Sequence, residues 1–310
     1  MHILVTGGAG YIGSVLVPLL LKDGHDVTVV DNFMHQQTSL LDCCFDRRLT
    51  VVRGDVRDDR LLRELVPKAD VILPLACLTG APICSRDPET AKAVNVGAVR
   101  TIADLMIPQQ LLVFPSTNSG YGIGQPDIYC DEDTPLRPVS LYGRLKVEIE
   151  SVLLEKGNCV TLRLATLFGV SQRMRLDLLV NDFTYRAVMD RFVALYEPHF
   201  KRNYLHVTDA ARAFLHALEN YGFMKGRAYN VGLSDANLSK WELCEVIQKH
   251  VPDFCFMVAE VGYDPDKRNY VVSNRRIEES GFKACVSLDE GIDELIKAYQ
   301  IVRRNQYGNV

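Results

Sequence analysis

The stretch TGGAGYIG, residues 6–13, follows the apolar segment HILV and leads into a second apolar run. The pattern predicts a strand at residues 2–7 and a helix at residues 11–23. Gly7 permits a tight turn, Gly10 lets the backbone approach a phosphate, and Gly13 lets the helix pack on the strand. Amides at the start of such a helix bind pyrophosphate. The stretch therefore predicts a dinucleotide site with contacts from Gly7, Gly10, Tyr11, Ile12 and Gly13.

Apolar strands alternate with helical stretches through the first half of the chain. Their continuous apolar runs are typical of strands buried on both faces, so the alternation predicts a doubly wound parallel sheet of the Rossmann type. The predicted strands are residues 2–7, 26–31, 49–55, 70–76, 111–116 and 160–169, and the predicted helices are residues 11–23, 58–69, 87–106 and 142–157.

The second half of the chain has a looser pattern, which predicts a smaller C-terminal α/β lobe. We expect residues 1–170 to form the dinucleotide-binding domain and residues 171–310 the smaller lobe, with the chain returning to the first domain near 204–232. The predicted helices here are residues 173–189, 208–221, 238–251 and 288–303, and the predicted strands are residues 192–196 and 202–207.

Asp31 ends the second predicted strand, 18 residues after Gly13. A carboxylate at this point accepts hydrogen bonds from ribose hydroxyls and repels a 2′-phosphate. The following residues, DNFMHQQ, contain no arginine or lysine, so we expect NAD rather than NADP. Asn32 belongs to the same predicted site, and Asp55 and Val56, after the third strand, are expected near the adenine.

Tyr142 and Lys146 lie four positions apart on a predicted helix and therefore share one face. An ammonium beside a phenol favours the phenolate, so Lys146 is expected to lower the pKa of Tyr142 from its ordinary value of about 10. Such a tyrosine can take a proton from an alcohol while hydride leaves its carbon. The Tyr-x-x-x-Lys spacing also occurs at 221/225, after a predicted helix, and at 263/267, in a predicted loop that contains Pro265.

The chain resembles the extended short-chain dehydrogenase/reductase family that acts on nucleotide sugars. The resemblance covers nearly the whole sequence. It rests on TGGAGYIG, Asp31, GDV (54–56), PLA (74–76), Asn95, STNSGYG (116–122), YGRLK (142–146), Arg163, RNYLHVTDAA (202–211) and AYNVG (228–232). It implies a dinucleotide-binding lobe, a small lobe for the nucleotide sugar, and a homodimer formed by the helices near 87–106 and 142–157.

The resemblance also implies roles for individual residues. Tyr142 is the expected general base, Lys146 tunes it and holds the nicotinamide ribose, and Thr117 is the assisting hydroxyl. Arginines converging on a diphosphate would be chemically sensible, because the guanidinium forms paired hydrogen bonds with phosphate. Further expected cofactor contacts are Leu75, Ala76 and Asn95, and expected substrate contacts are Thr117, Asn118, Ser119, Asn181, Arg202 and Arg268.

The residues after Thr117 reduce the number of reactions that the chain could catalyse. Nucleotide-sugar 4,6-dehydratases resemble this loop but carry an Asp-Glu pair where Asn118 and Ser119 stand, so dehydration is disfavoured. Ser119 and Ser171 replace the Cys and His with which related enzymes invert carbons beside a ketone, so that reaction is disfavoured too. Two reactions remain: simple oxidation or reduction of one carbinol, expected at C4, and C4 epimerisation through a transient ketone.

Three segments are most similar to the branch that oxidises GDP-linked manno-heptose at C4 in bacterial capsule biosynthesis. They are PLACLTGAPICSRDPE, STNSGYGIG and LFGVSQRMRLDLLVNDFTYRA. The similarity implies a GDP-heptose substrate and tightly bound NAD that is recycled in place. A non-catalytic, dinucleotide-sensing protein is a remote alternative, because such relatives typically lose the tyrosine or the lysine.

The formal net charge of −4 predicts no general attraction to nucleic acid or to an anionic membrane. No apolar run approaches the roughly 18 residues of a membrane span, and the N-terminus lacks the pattern of a signal peptide. Nine cysteines without a CxxC pair indicate reduced thiols rather than disulfides or a metal site. We expect a cytoplasmic enzyme, with His206 as a packed structural residue.

Overall fold

The computed structural model describes residues 1–125, 128–261 and 268–302. A seven-stranded sheet has the order β11-β7-β5-β4-β1-β2-β3, and all its neighbouring strands are parallel. The strands are β1 (His2–Thr6), β2 (Asp26–Asp31), β3 (Leu49–Arg53), β4 (Val71–Pro74), β5 (Leu111–Thr117), β6 (Tyr129–Cys130), β7 (Val160–Leu164), β8 (Thr166–Phe168), β9 (Phe192–Leu195), β10 (Lys201–His206), β11 (Arg227–Val231), β12 (Asn237–Ser239), β13 (Cys255–Val258) and β14 (Val271–Val272).

Helices cover both faces of this sheet, which confirms the doubly wound fold class. α1 and α8 pack on one face around Leu16, Leu20 and Phe214, and α2, α5 and α6 pack on the other. The helices are α1 (Gly13–Lys22), α2 (Asp59–Leu65), α3 (Ala81–Arg86), α4 (Pro88–Lys92), α5 (Val99–Leu105), α6 (Leu141–Lys156), α7 (Leu179–Met189), α8 (Val207–Glu219), α9 (Tyr221–Met224), α10 (Lys240–His250), α11 (Arg275–Glu279) and α12 (Leu288–Ile301).

The single strand predicted at residues 160–169 is wrong, because the chain changes sheets at Ala165. β7 pairs with β5 and β11 in the large sheet, whereas β8 pairs with β10 in a three-stranded sheet. The amide of Ala165 donates to the carbonyl of Val231 at 2.9 Å, which closes the large sheet at that point. An apolar run without an interruption cannot reveal such a switch, since both strands are buried.

Two predicted helices are also different in the structure. Residues 87–106 form α4 and α5 separated by a π-helical segment, Ala93–Ala98. The helix predicted at 173–189 begins only at Leu179, because Leu178 has an extended backbone. Residues 173–178 form a loop whose apolar members, Met174 and Leu176, are buried in the small-lobe core.

The small lobe has its own core, formed by α7, α10 and α12 around Phe183, Leu243 and Ile292. The chain nevertheless returns to the large sheet through α8 and β11, which pairs with β7. The domain boundary at residue 170 and the homodimer remain predictions. No helix in residues 1–125, 128–261 and 268–302 has both the length and the apolar character needed to cross a membrane.

His206 is buried, as the sequence predicts for a structural residue. Its Nε2 lies 2.7 Å from Glu294 Oε2 on α12, and its ring packs edge-on against Phe168. The same carboxylate oxygen accepts the amide of Val170 at 3.1 Å. His206 therefore joins α12 to the segment that follows β8.

His250 predicts a pH dependence of stability. Its two ring nitrogens lie 2.8 Å from carboxylates of Asp293 and Asp289 on α12. Burial disfavours the imidazolium, but the two carboxylates outweigh it and raise the pKa of His250. The stabilisation is complete below the unfolded pKa of about 6.5 and is lost as pH rises through the folded pKa.

We therefore expect the Tm difference between the wild type and His250→Gln to be largest near pH 5.5 and to shrink toward pH 8.5. Thermal unfolding across this range measures it. His199→Gln, which removes an exposed imidazole of the same lobe, is the matched control and should show no such trend. A pH-independent Tm difference for His250→Gln would contradict the assignment.

Candidate active site

A cavity of about 980 Å³ lies over the carboxyl ends of β1, β2, β4 and β5, between the large sheet and the small lobe. Crevices at this edge of parallel sheets are the usual ligand sites of such folds. Most of the predicted site residues line the cavity. They are Gly7, Gly10, Tyr11, Ile12, Gly13, Asp31, Asn32, Asp55, Val56, Leu75, Ala76, Thr117, Ser119, Tyr142, Lys146, Arg202 and Arg268. Asn95, Asn118 and Asn181 do not line it.

The glycine loop has the geometry that the sequence predicts. Gly7 has φ +68°, and a Cβ there would lie 2.6 Å from the backbone of Ala76. At Gly10 a Cβ would meet only the Gly7 carbonyl, at 3.1 Å, so its other side is open. The amides of Tyr11 and Ile12 find no acceptor in the described chain. An open approach and free amides before α1 fit a bound pyrophosphate.

Asp31 is held at the end of β2 by the glycine loop. Its Oδ2 accepts the amide of Ala9 at 3.0 Å, and its Oδ1 accepts the amide of Phe33 at 2.8 Å and Gln37 Nε2 at 3.3 Å. An ionised carboxylate has about four acceptor positions, so one is left for a ribose hydroxyl. The geometry supports NAD as the dinucleotide.

Replacing Asp31 by alanine is expected to weaken NAD binding by about 10-fold or more, because a charge-assisted hydrogen bond to ribose is lost. NADP should become the relatively better cofactor, since the repulsion of its 2′-phosphate disappears. Titration of both dinucleotides against intrinsic fluorescence checks this. Asp42→Ala, which removes another acid of the same region, should leave the preference unchanged. An unchanged preference in Asp31→Ala would contradict the prediction.

Asp55 lines the cavity beyond β3. Arg57 binds it through Nε at 2.9 Å and Nη2 at 2.7 Å. This hydrogen bonding, aided by Asn32, lowers the pKa of Asp55 to about 2, so the group is ionised at neutral pH. Val56 beside it is buried and provides an apolar surface, as expected near an adenine ring.

Asn95 supports the cavity wall from behind. Its Oδ1 accepts the amide of Leu78 at 2.8 Å and its Nδ2 donates to the Leu78 carbonyl at 3.0 Å. The π-helical segment that interrupts the predicted helix carries Asn95. Asn95 thus positions the loop after Leu75 and Ala76, and its direct contact with the cofactor stays a prediction.

Tyr142 and Lys146 both line the cavity near the start of α6, which Ser140 caps by accepting the amide of Gly143 at 3.1 Å. Lys146 is buried, its Nζ donates to the Pro115 carbonyl at 2.8 Å, and it lies 4.5 Å from the centroid of the Phe114 ring. The ammonium is thus held by the end of β5.

The predicted lowering of the tyrosine pKa is wrong. Burial raises the pKa of Tyr142 above its ordinary value, and the opposing positive charges come from Arg175 and Arg268. The physical reason is that desolvation disfavours the phenolate, while the Lys146 ammonium donates to the Pro115 carbonyl.

The other Tyr-x-x-x-Lys pairs are not part of the site as described. Tyr221 begins the short helix α9 rather than ending α8 as predicted, and its hydroxyl donates to the Asn158 carbonyl at 2.8 Å. It also accepts the amide of Leu112 at 3.1 Å, at the far end of β5. The pair 263/267 lies outside the described residues.

Thr117 and Ser119 form a hydroxyl pair at the end of β5. The Ser119 amide donates to Thr117 Oγ1 at 3.1 Å, and Thr117 Oγ1 donates to Ser119 Oγ at 3.0 Å. Arg268 Nη1 also donates to Ser119 Oγ. Asn118, predicted to contact substrate, is buried outside the cavity wall, and neither atom of its amide has a hydrogen-bond partner among the described residues. The short 3₁₀ turn after Thr117 directs Ser119 rather than Asn118 to the cavity.

Asn181, whose contact with the diphosphate stays a prediction, bonds to the loop after β8 instead of lining the cavity. Its Oδ1 accepts the amide of Gly169 at 3.0 Å, and its Nδ2 donates to the Arg175 carbonyl at 2.9 Å. Tyr11 donates its hydroxyl to the Gly169 carbonyl at 2.7 Å. Asn181 therefore positions the loop after β8 against the glycine loop. Ser171 does the same, with its Oγ donating to the Tyr11 carbonyl at 2.8 Å.

The loop after β8 brings charged residues to the cavity that the sequence analysis missed. Arg175 is buried and binds Asp177 through Nη2 at 2.5 Å and Nε at 3.2 Å. Arg173 and Cys77 also line the cavity. The sequence RMRLD predicts the start of a helix, and the spacing of its charged residues does not indicate a binding site. Arg202 is buried too, with its guanidinium 5.8 Å from the ring centroid of Tyr270.

A parallel sheet with an open glycine loop, a carboxylate after β2 and a tyrosine–lysine pair over one cavity defines a dinucleotide-dependent oxidoreductase. The chain belongs to the NAD dependent epimerase/dehydratase family, whose sequence profile matches residues 3–232. The predictions of an enzyme, of NAD as its cofactor and of the extended short-chain dehydrogenase/reductase family are thereby confirmed.

Curated relatives differ in their activities. The chain is 30% identical to UDP-glucose 4-epimerase of Corynebacterium glutamicum over 275 residues, which cover 81% of each chain. It is 28% identical to dTDP-glucose 4,6-dehydratase of Streptomyces niveus, covering 97% of this chain and 93% of the relative. Among solved structures, UDP-glucose 4-epimerase of Thermus thermophilus in complex with NAD is 25% identical with a TM-score of 0.83, covering 97% of this chain and 99% of that chain.

Proposed function

We propose that the protein oxidises the C4 hydroxyl of a nucleotide-linked sugar with NAD. The observation that carries this proposal is the meeting of Tyr142, Lys146 and Thr117 with the glycine loop in one cavity that Arg202 and Arg268 also line. The first set suits removal of a proton and a hydride from a carbinol, and the two arginines suit a diphosphate.

The chemistry follows from these side chains. The Tyr142 oxygen takes the hydroxyl proton as the C4–O bond becomes a carbonyl, and the hydroxyl pair of Thr117 and Ser119 holds the reacting oxygen by a hydrogen bond. NAD, when bound, accepts the hydride that leaves the same carbon. Lys146, released from Pro115, would donate to a ribose hydroxyl and place a positive charge near the phenolate. One proton and one hydride leave, so the product is the 4-keto sugar.

The proposed substrate is a GDP-linked manno-heptose, and the proposed setting is capsule polysaccharide synthesis. Support comes from the similarity of the segments around Cys77, Thr117 and Arg175 to that branch of the family. The cavity holds a second polar surface formed by Arg175 and Asp177, whose charges largely offset each other. A neutral pair of this kind suits a polyhydroxylated sugar, because its remaining donors and acceptors match hydroxyl groups.

A second candidate is a nucleotide-sugar 4-epimerase. The 30% identity to a UDP-glucose 4-epimerase over 81% of the chain favours it. The same residues would serve: Tyr142 would return the proton and the keto sugar would rotate before hydride came back to its other face. Dehydration is disfavoured in either case, because Asn118 and Ser119 cannot supply the acid that expels a hydroxyl.

Mass spectrometry of the purified protein with NAD and a panel of GDP-, UDP- and dTDP-sugars tests the proposal. A product lighter by two hydrogens, with a matching rise in NADH absorbance, is the expected result. An isomer of equal mass without net NADH identifies the 4-epimerase. Loss of water from any sugar, or no conversion of the panel by NAD-loaded protein, would contradict the proposal.

A further inference from the structure

Arg268 contacts the catalytic loop in addition to lining the cavity. It lies beyond the small-lobe core, yet its Nη1 donates to the hydroxyl oxygen of Ser119, which is 149 positions away in the chain. Ser119 is only 2% exposed. A buried hydroxyl that accepts from a guanidinium is held in a defined orientation, because charge-assisted hydrogen bonds are the stronger ones.

The hydrogen bonds around Ser119 fix the direction in which the Thr117 hydroxyl points its proton. A hydroxyl has one proton and two acceptor positions, and a guanidinium can only donate. Arg268 occupies one acceptor position of Ser119 Oγ, and Thr117 Oγ1 occupies the other with its own proton at 3.0 Å. Thr117 Oγ1 in turn accepts the Ser119 amide at 3.1 Å. Thr117 Oγ1 therefore keeps one acceptor position, and Ser119 Oγ keeps its own proton for donation.

We propose that Arg268 is a positioning residue for the hydroxyl pair of Thr117 and Ser119. It holds Ser119 Oγ as the acceptor of the Thr117 proton, so that Ser119 can donate its own proton to the reacting oxygen while Tyr142 takes the proton of the substrate hydroxyl. This inference rests on the proposed function and extends it: the small lobe orients the hydroxyl pair that holds the reacting oxygen.

A double-mutant cycle on kcat tests the coupling, with NAD and the nucleotide sugar that the wild type converts. Ser119→Ala and Arg268→Met are each expected to lower kcat about tenfold, the effect of one hydrogen bond in the transition state. The double variant should be no slower than the slower single variant, because both changes break the same relay. Ser119→Thr and Arg268→Lys, which keep a hydroxyl and a donor, should restore most of the rate.

Arg202→Met is the matched control. Arg202 lines the same cavity, but its Nη1 donates to the Lys201 carbonyl rather than to the catalytic loop. The fold-decreases in kcat caused by Arg202→Met and by Ser119→Ala should therefore multiply in the double variant. The proposal is overturned if Arg268→Met raises KM without lowering kcat, and if the fold-changes of Arg268→Met and Ser119→Ala multiply in the double variant. Arg268 would then be only a diphosphate ligand.

A second cycle needs no turnover and separates this inference from the proposed function. The wild type, the two single variants and the double variant are unfolded thermally with NAD bound and without sugar. The Tm shifts of Ser119→Ala and Arg268→Met should be non-additive. Additive shifts would refute the relay. Failure of the wild type to convert any sugar of the panel would refute the proposed function, whereas the unfolding cycle would still decide whether Arg268 and Ser119 act together.

Discussion

Replacing Tyr142 by phenylalanine is expected to lower kcat for sugar oxidation by about 10³-fold, the usual contribution of a general base. The change removes only the phenolic oxygen, so the ring still lines the cavity. NAD binding should be unchanged, since the glycine loop and Asp31 are untouched. NADH absorbance measures the rate, and titration of NAD against protein fluorescence measures the affinity.

Tyr221→Phe is the matched control, because Tyr221 begins another Tyr-x-x-x-Lys sequence. Its hydroxyl bonds to the backbone of Asn158 and Leu112, so its loss should cost about 1 kcal/mol of stability and leave kcat unchanged. Turnover by Tyr142→Phe at the wild-type rate would show that Tyr142 is not the general base. A loss of NAD affinity together with activity would show instead that the site had been distorted.

Arg163→Met is expected to destabilise the fold by about 3–5 kcal/mol, which corresponds to a fall in Tm of roughly 10 °C. Arg163 binds Glu150 Oε1 through Nε at 2.9 Å and Nη2 at 2.7 Å, and both residues are buried. Its Nη1 also donates to Tyr121 and to the Glu132 carbonyl. Removal of the guanidinium leaves the Glu150 carboxylate buried without its counterion.

The double variant Glu150→Leu/Arg163→Met separates the effect of the unpaired charge from that of lost packing. Its Tm should lie above that of Arg163→Met, because a buried ion pair replaced as a whole by apolar side chains costs little. Chemical denaturation gives the free energy of unfolding for each protein. If the double variant is less stable than Arg163→Met, the unpaired Glu150 carboxylate is not the cause of the destabilisation.

Residues close together in the sequence carried most of what could be predicted. The spacing of Gly7, Gly10 and Gly13, the position of Asp31 after a strand and the four-residue step from Tyr142 to Lys146 are all local. Each constrains its own neighbourhood through sterics or helical periodicity, so each could be interpreted before the structure. The family match then confirmed the cofactor that these residues indicate.

The roles of Asn95, Asn118 and Asn181 could not be predicted in the same way. All three are buried, and the cavity wall excludes them. Asn181 bonds to the loop after β8, and Asn95 to the loop after β4. A position that matches a family motif shows which segment approaches the site, but rotation of a side chain within that segment depends on packing.

Local sequence alone thus determined the sheet type, the dinucleotide loop and the tyrosine–lysine pair, because hydrophobic period and glycine sterics act between neighbours. Only the tertiary structure decided that Arg268 reaches Ser119, and that Arg175 and Asp177 enter the cavity. It also decided that Lys146 donates to Pro115 while burial raises the pKa of Tyr142. A contact across 149 positions and the burial of a phenol arise from the packing of segments that are distant in the sequence, and no local pattern encodes that geometry.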